Sequence, residues 1–540
     1  MALQRSWGRL RPDDVHDHIE AWWTRLRRSG RASLNGHQCA VIDAYVAAKR
    51  SRDVAEQALR PWVLRHNKGT YWVDTTIERR SRLDGAAMDG DNAEAGLKIP
   101  SRQLLPFFLA ARSVVTPGKD LLGEALCSSY EAFRFTRRTT RAEKDEQDEA
   151  PSADAHLSHA HWYLDEFDQA LKRCSGANHP KVDATVRKTV DLWEQGEKVL
   201  VFAFYRHTCR ALRIHISAEL ERRLMLAAQR QLRVRGQELD AEAVNRLLDL
   251  VQRRYFDDGR LPGRRALDNA LEAIIHSHDY ALRRVGVSPD ERETLKGVMR
   301  RFLRVRTTLV RCFPLAEFET VAPTDAVRGV LGHPDSSGVS WQQKFARFLE
   351  FLTGGCSRVE RKHYLEAAQR TQTRGIRVDA DETAGGDGDA SAVTLANVQV
   401  ATGETRRATR SRLMRAFNTP FFPDVLVCSE VMGEGVDLQR FCRHVIHHDL
   451  AWNPSTIEQR TGRVDRIGCK AEGRQSIVVY MPYLAGTADE RQYRVMTDRE
   501  RWFRVVMGQE AVARLIAPDS LGIAPLPTAV SNELNFELAL

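Results

Sequence analysis

Gln459, Arg463 and Arg466 stand at i, i+4 and i+7 in the run WNPSTIEQRTGRVDRIG. On a helix that spacing puts them on one face. A guanidinium keeps its charge, and its fork matches two oxygens of a phosphate. Two of them beside a glutamine amide form a surface suited to phosphate. Asn453-Pro454-Ser455 opens the helix: Asn or Ser can cap it, and Pro fits its first position. Ile457, Thr461 and Val464 are left to pack elsewhere. Upstream, Val425 to Cys428 has the length and β-branching of a buried strand. A loop with Gly433 and Gly435 follows, and His444 to His448 reads as a second strand. These elements would hold the arginine face beside a sheet.

This ordered set resembles the second RecA-like lobe of superfamily 2 helicases and translocases, in its Swi/Snf-type branch. SEVMGEGVDLQ is similar to motif V and QRTGRVDRIG to motif VI. HPKVDATVRKTVDLWEQGEKVLVFAFYRHT resembles the entry to that lobe, with motif IV in VLVFAFY. LRPWVLRHNKG, from Leu59 to Gly69, resembles the passage that leaves the first motor lobe. VTLANVQVATG and the basic helix from Glu404 to Asn418 resemble the G-x-T…R…F pattern before motif V.

The resemblance implies an α/β fold: one RecA-like parallel-sheet lobe (177–205 and 393–482) with a large helical insertion (206–392) and helical N- and C-terminal extensions. It implies that Arg463 and Arg466 are arginine fingers and that Gln459 lines the same cleft. Gly435 would let the backbone approach the nucleotide. Asp437 would contact the ribose or couple nucleotide to motif VI. Ser429 and Glu430 would stand near a nucleic-acid strand. The implied cofactor is ATP with Mg²⁺, held mainly by a first lobe. The implied partners are nucleic acid, with duplex DNA the expected form, and a first-lobe ATPase segment or subunit.

With 540 residues, the chain has room for two to four domains. Charged residues make up 28% and hydrophobic ones 42%, ordinary for a globular protein. The 81 basic and 72 acidic residues leave +9, modest for this length and compatible with a polyanion. Between Arg206 and Arg306 stand 22 basic and 14 acidic residues, so most of the excess, +8, falls in the expected insertion. Its arginines could track a nucleic-acid backbone or solvate a helical surface. Nine scattered cysteines include no C-x-x-C pair, which argues against a zinc ribbon. Cys428 and Cys442 read as small buried residues. No apolar run approaches a membrane span and the N-terminus lacks an apolar leader core, so the expected location is cytoplasmic, without a membrane partner.

Along the chain, residues 1–66 read as helical, a remnant or exit of the first lobe, and 67–176 as a helical or irregular linker without chemistry. Asp165-Glu166-Phe167-Asp168 is not a metal-holding box, because helical periodicity runs through Trp162, Leu164, Phe167 and Leu171. Trp341, Phe345, Phe348 and Phe351 have core spacing, decorated by Lys344, Arg347, Arg358, Arg361 and Lys362. Residues 379–392, DADETAGGDGDASA, form a loop and not a calcium hand, since no Glu takes the twelfth position. Residues 483–540 read as a helical tail.

The sequence contains no G-x-x-x-x-G-K-[ST]; its nearest string, Thr116-Pro117-Gly118-Lys119-Asp120, lacks the first glycine and the hydroxyl. The expectation is therefore a C-terminal motor half that hydrolyses no ATP alone and takes its phosphate loop from elsewhere. The alternatives are a non-catalytic nucleic-acid-binding module or a protein-docking module on the same scaffold.

Overall fold

The structure is a computed structural model that describes residues 3, 6, 9–10, 19–59, 71–90, 95–114, 120–145, 155–173, 178–233, 240–370, 376–377, 393–429, 437–506, 530 and 534. Two compact units divide the chain. One comprises Met1–Thr70, Ala451–Thr456 and Gln492–Leu540, and the other Tyr71–Leu450 and Ile457–Arg491. In the first, helices Ile19–Arg28 and Gly36–Leu59 bury Trp23, Leu26, Val41 and Tyr45. Trp23 and Tyr45 meet edge to face at 5.0 Å.

Eight strands belong to the second unit: β1 Arg80–Asp84, β2 Lys198–Phe202, β3 Ile376–Arg377, β4 Val393–Thr394, β5 Val398–Ala401, β6 Val425–Cys428, β7 Cys442–His447 and β8 Ile477–Met481. Six form one parallel sheet in the order β1-β8-β7-β2-β6-β5; β3 and β4 pair antiparallel apart from it. The expected RecA-like α/β lobe, with helical insertion and extensions, is the fold observed. A parallel sheet is covered on both faces, so its central strands are largely apolar and buried. Accordingly β2 and β6 are buried at every position. Cys428 and Cys442 are buried free thiols in this core. The expected strand from Val393 to Gly403 is interrupted: the chain turns at Ala396-Asn397 between β4 and β5.

Strand β1 was not expected. RSRLD has one apolar residue, Leu83, and no alternation. It joins the sheet edge by pairing with β8 over its whole length, Arg80 opposite Ile477 through Asp84 opposite Met481. The region read as a linker thus supplies a strand. It also supplies helices Ser101–Val114, Asp120–Ser128, Tyr130–Asp145 and Ala155–Arg173. Buried polar bonds seal these helices to the lobe: Ser128 Oγ donates to Asp449 Oδ2 at 2.9 Å and lies 2.7 Å from Thr208 Oγ1. Lys181 Nζ, 3.0 Å from Asp489, completes the cluster.

The insertion is helical from Arg206 onward, with capping boxes at Ser288, Ser340 and Ser357. Each satisfies two backbone or side-chain donors that a helix start leaves open. Trp341, Phe345, Phe348 and Phe351 are buried as their spacing predicted. Phe345 stacks on Phe421 at 5.8 Å, and Phe302 meets Phe422 at 4.9 Å, so aromatic packing joins insertion to lobe. Lys344 and Arg361 do not decorate the surface; both are buried. Arg361 caps carbonyls of Leu352, Val285 and Cys356. Lys344 Nζ meets Asp335 at 2.9 Å, Asp335 meets Lys470 at 2.9 Å, and Lys470 meets Glu197 at 2.7 Å. This chain of alternating charge ties the insertion to the entrance of β2 and to the segment after motif VI. Burial would raise the Glu197 pKa, but Lys470, His444 and Arg443 hold it well below the usual carboxylate range. Among the described residues no helix is long and apolar enough to cross a membrane.

Several histidines are buried in the neutral form. His448 donates from Nε2 to the Ser128 carbonyl at 3.0 Å and accepts at Nδ1 from Thr185, 2.8 Å away. Burial pushes His448 down to about 4, and His179 and His444 down to about 3, from an ordinary 6.5. Between those values the unfolded chain binds more protons than the folded one, so stability falls as pH drops below 6.5. His215 works in the opposite sense: burial would lower its pKa, but Glu131 holds it up. Urea unfolding should show a lower midpoint at about pH 5 than at about pH 7. His448→Gln should flatten part of that difference. Removing the carboxylate in Glu197→Gln, which leaves Lys470 with Asp335 as its one carboxylate partner among the described residues, should cost about 3 kcal/mol in the same measurement at neutral pH.

Candidate functional site

The stretch that resembles motif VI begins on helix Pro454–Thr461, which Asn453 opens by accepting from the Ser455 amide at 3.0 Å. The helix ends at Thr461, so Arg463 and Arg466 are not on its face with Gln459. They lie in the turn that follows. Gly462, a poor helix former, begins the break. Past it the Arg463 amide reaches back to Arg460 at 3.2 Å and Val464 to Thr461 at 3.0 Å, tighter bonds than a helix makes. The Arg463 carbonyl then accepts from Leu438 N at 3.1 Å, and the Gln439 carbonyl accepts from Lys470 N at 2.8 Å. Two backbone bonds therefore lace the finger turn to the segment that leaves motif V. Gly468 closes the turn with φ +73°, a conformation costly for other residues.

The side chains separate in role. Gln459 is exposed on the helix. Arg463 is half-buried and makes no hydrogen bond or ion pair among the described residues. Arg466 pairs with Asp437, and its Nε donates to the Gly462 carbonyl at 3.3 Å. Both partners of the Arg466–Asp437 pair are over a third exposed, so the contact is weak and exchangeable. Ser429 is buried at the end of β6, its hydroxyl without a hydrogen-bond partner among the described residues. Glu430 and Gly435 lie outside the described residues. The structure thus brings Arg463, Arg466 and Asp437 together, with Gln459 one helical turn away.

Four residues around this turn escaped sequence reasoning. Asp465, between the two finger candidates, is 1% exposed. Arg79 Nε reaches its Oδ1 at 2.7 Å, and Arg80 Nε its Oδ2 at 2.6 Å. Arg80 also forks onto Glu458, with bonds of 2.7 and 2.8 Å. Burial alone would lower the Arg80 pKa, but Glu458 and Asp465 raise it above its ordinary value. Arg79 lies over the Trp72 ring at 4.5 Å, and Trp72 donates to the Gln475 carbonyl at 2.8 Å. The available signal was the Arg79-Arg80 pair, but nothing in the sequence shows what it faces. Arg460, the fourth, is buried over Phe202 at 5.3 Å and donates to the Asp449 carbonyl at 3.2 Å. It is a structural arginine inside the motif.

The turn suits anionic oxygens better than a metal. Glu458 and Asp465 are engaged by arginines, and Asp437 by Arg466. A cleft of about 1110 Å³ lies elsewhere, between the insertion and the approach to β5, and includes Arg222, Arg301, Arg304 and Arg306. Those arginines are engaged too: Arg222 with Glu219 at 2.6 Å, Arg304 with Asp257 at 2.7 Å, Arg306 with Glu221 at 3.3 Å, and Arg301 with the Gln369 carbonyl at 3.0 Å. Much of the insertion's positive charge is neutralised locally.

Known proteins are similar to the segment that ends in this turn. Residues 389–468 match the helicase conserved C-terminal domain. Over 85 residues the chain is 35% identical to the uncharacterized ATP-dependent helicase YqhH of Bacillus subtilis (strain 168), covering 16% of this chain and 14% of that protein. Over 66 residues it is 47% identical to the RNA polymerase-associated protein RapA of Vibrio vulnificus (strain YJ016), covering 12% of this chain and 6% of that one. The matches thus span a small part of these relatives. A crystal structure of the C-terminal part of the Fun30 ATPase domain aligns over 63% of this chain and 95% of its own, at 13% identity and TM-score 0.16, too low to carry an argument. The matches support a superfamily 2 helicase C-terminal lobe in this chain and a helicase-family role.

Asp465→Asn should leave Arg79 and Arg80 facing a neutral amide in a buried site. We expect a loss of about 3 kcal/mol in urea unfolding, against less than about 1 kcal/mol for Asp437→Asn, whose pair is exposed.

Proposed function

We propose that this chain is the second motor lobe of an ATP-dependent, Swi/Snf-type nucleic-acid translocase. Its substrate track is duplex DNA, and a first lobe on another segment or subunit supplies the phosphate loop and the Mg²⁺ ligands. The observation that carries this reading is the finger turn: the Arg463 guanidinium is uncommitted among the described residues, and Arg466 is held by a half-exposed Asp437 and one long bond to the Gly462 carbonyl. A guanidinium in that state can close on a phosphoryl group that an opposing surface presents.

The bound nucleotide would supply the phosphoanhydride, and a metal held by the first lobe would neutralise part of its charge. The chain's own residues would neutralise charge. Arg463 offers a planar fork toward equatorial oxygens, where the charge grows as the terminal phosphoryl group transfers. Arg466 would exchange Asp437 for the phosphate, so Asp437 holds the second finger until nucleotide arrives. Through the laced backbone of Leu438 and Arg463, that exchange would reach the segment after motif V. Gln459 would border the same opening, and Ser429 and Glu430 the nucleic-acid strand. The polymerase association in the name of one relative does not carry over, since the match spans 6% of that protein.

The test is nucleic-acid-stimulated ATP hydrolysis by the chain alone and together with the polypeptide that supplies the phosphate loop. The chain alone should be inactive and the pair active. Arg463→Ala should lower kcat of the pair about 10³-fold, and Arg466→Ala should also lower it strongly. Full activity in both variants would refute the finger assignment, and substantial hydrolysis by the chain alone would refute the need for a second polypeptide.

A further inference from the structure

We infer that Arg79 and Arg80 of the β1 edge are positioning residues for the arginine fingers. Together they hold the turn that carries Arg463 and Arg466 at a set distance from the sheet. The inference rests on the finger reading above and goes beyond it, because it assigns a mechanistic role to a segment read as a linker.

Arg80 grips two carboxylates on opposite sides of Gly462: Glu458, in the last turn of the helix, and Asp465, in the finger turn. A single guanidinium therefore bridges the helix and the turn that departs from it. Arg79 takes the other oxygen of Asp465, so that carboxylate is clamped at both ends. Asp465 follows Arg463 by two residues and precedes Arg466 directly. Any rotation of the turn about Gly462 would have to break the bonds to Asp465, whose carboxylate is buried, as well as the more exposed bonds to Glu458. The clamp has a rigid base. Beside it, Ile477 N donates to the Arg79 carbonyl at 2.9 Å and Ser476 Oγ to the Glu78 carbonyl at 2.6 Å, where β1 meets β8. The guanidinium of Arg79 rests on Trp72, which is itself bonded to Gln475.

Charge gives a second reason for the clamp. Arg79, Arg80, Arg463 and Arg466 gather around one short turn. The carboxylates of Asp465 and Glu458 together compensate the two on β1 and leave the fingers to meet phosphate. A catalytic cation misplaced by about 1 Å can cost about 10²-fold in rate. Fixing the turn from the sheet edge can thus account for up to about 10²-fold in rate, less than the about 10³-fold that loss of a finger costs.

The experiment measures kcat, the KM for ATP and nucleic-acid affinity in the active pair, for Arg80→Ala, Arg80→Lys, Glu458→Gln and Arg463→Ala. Val244→Ala, a cavity in the insertion, serves as a control for destabilisation, with urea unfolding of each chain. For Arg80→Ala we expect kcat to fall about 10- to 100-fold, with KM and nucleic-acid affinity within about threefold. Arg80→Lys keeps the charge but loses the fork, and should fall between Arg80→Ala and the parent. Glu458→Gln should lose less, because Asp465 remains clamped. If Arg463→Ala is inactive while Arg80→Ala keeps full kcat, the positioning role is wrong and the finger reading stands. If Val244→Ala loses stability and kcat in the same proportion as Arg80→Ala, the clamp is merely structural. If Arg463→Ala is fully active, both readings fall.

Discussion

A carboxylate survives inside a protein only when cations or donors close around it, and three such carboxylates decide where the pieces of this lobe meet. Glu197, fully buried at the entrance of β2, gathers Lys470, Arg443 and Ser336, and through Lys470 reaches Asp335 and Lys344 of the insertion. Asp449, at the far end of β7, accepts from the Phe204 amide at 2.7 Å and from Ser128 of the N-terminal helices. Asp465 draws Arg79 and Arg80 from the sheet edge onto the finger turn. In each case the partner comes from a segment remote in sequence, so each buried charge works as a joint.

These joints help to hold Tyr71–Leu450 and Ile457–Arg491 together as one compact unit. Apolar packing alone would let helices slide over a parallel sheet, since dispersion and burial are weakly directional. A bidentate arginine is not: its fork has one good orientation on a carboxylate. The aromatic cluster of Phe302, Trp341, Phe345, Phe421 and Phe422 provides adhesion between insertion and lobe. The chain of charge from Lys344 to Glu197 supplies register. In the proposed function, the fingers are what the joints leave over. Asp437 and Arg466 form an exposed pair that can exchange partners, and Arg463 remains uncommitted among the described residues.

Local pattern made much of the lobe legible. VLVC and KVLVF are short, β-branched and bounded by turn residues, and both are strands with every residue buried. The long amphipathic stretches after Arg206 are helices, and Trp341 with its phenylalanines faces inward. Reading failed where a residue's role depends on something distant. RSRLD offers no apolar alternation, because its arginines gain their place from Asp465 and Glu458 rather than from burial of apolar surface. Lys344 and Arg361 read as surface charge because a sequence does not display the carbonyls and carboxylates that receive them. The helix carrying Gln459 seemed to run on through Arg466, since helical spacing persists across Gly462. The Leu438 amide instead takes the Arg463 carbonyl and helps turn the chain aside.

What the sequence determined by itself is the chemical repertoire: two arginines and a glutamine in a motif of phosphate-reading type, with strands and loops in the order of a helicase C-terminal lobe. Residue identity and short-range spacing suffice for that, because side-chain charge and hydrogen-bonding capacity are intrinsic. Only the tertiary structure decided which of those groups are free to act. Arg460 is sealed against Phe202, Arg466 is lent to Asp437, and Arg463 is left open within a turn stapled by Arg80. That allocation depends on where remote carboxylates come to rest, and pairwise electrostatics across hundreds of residues exists only once the chain has folded.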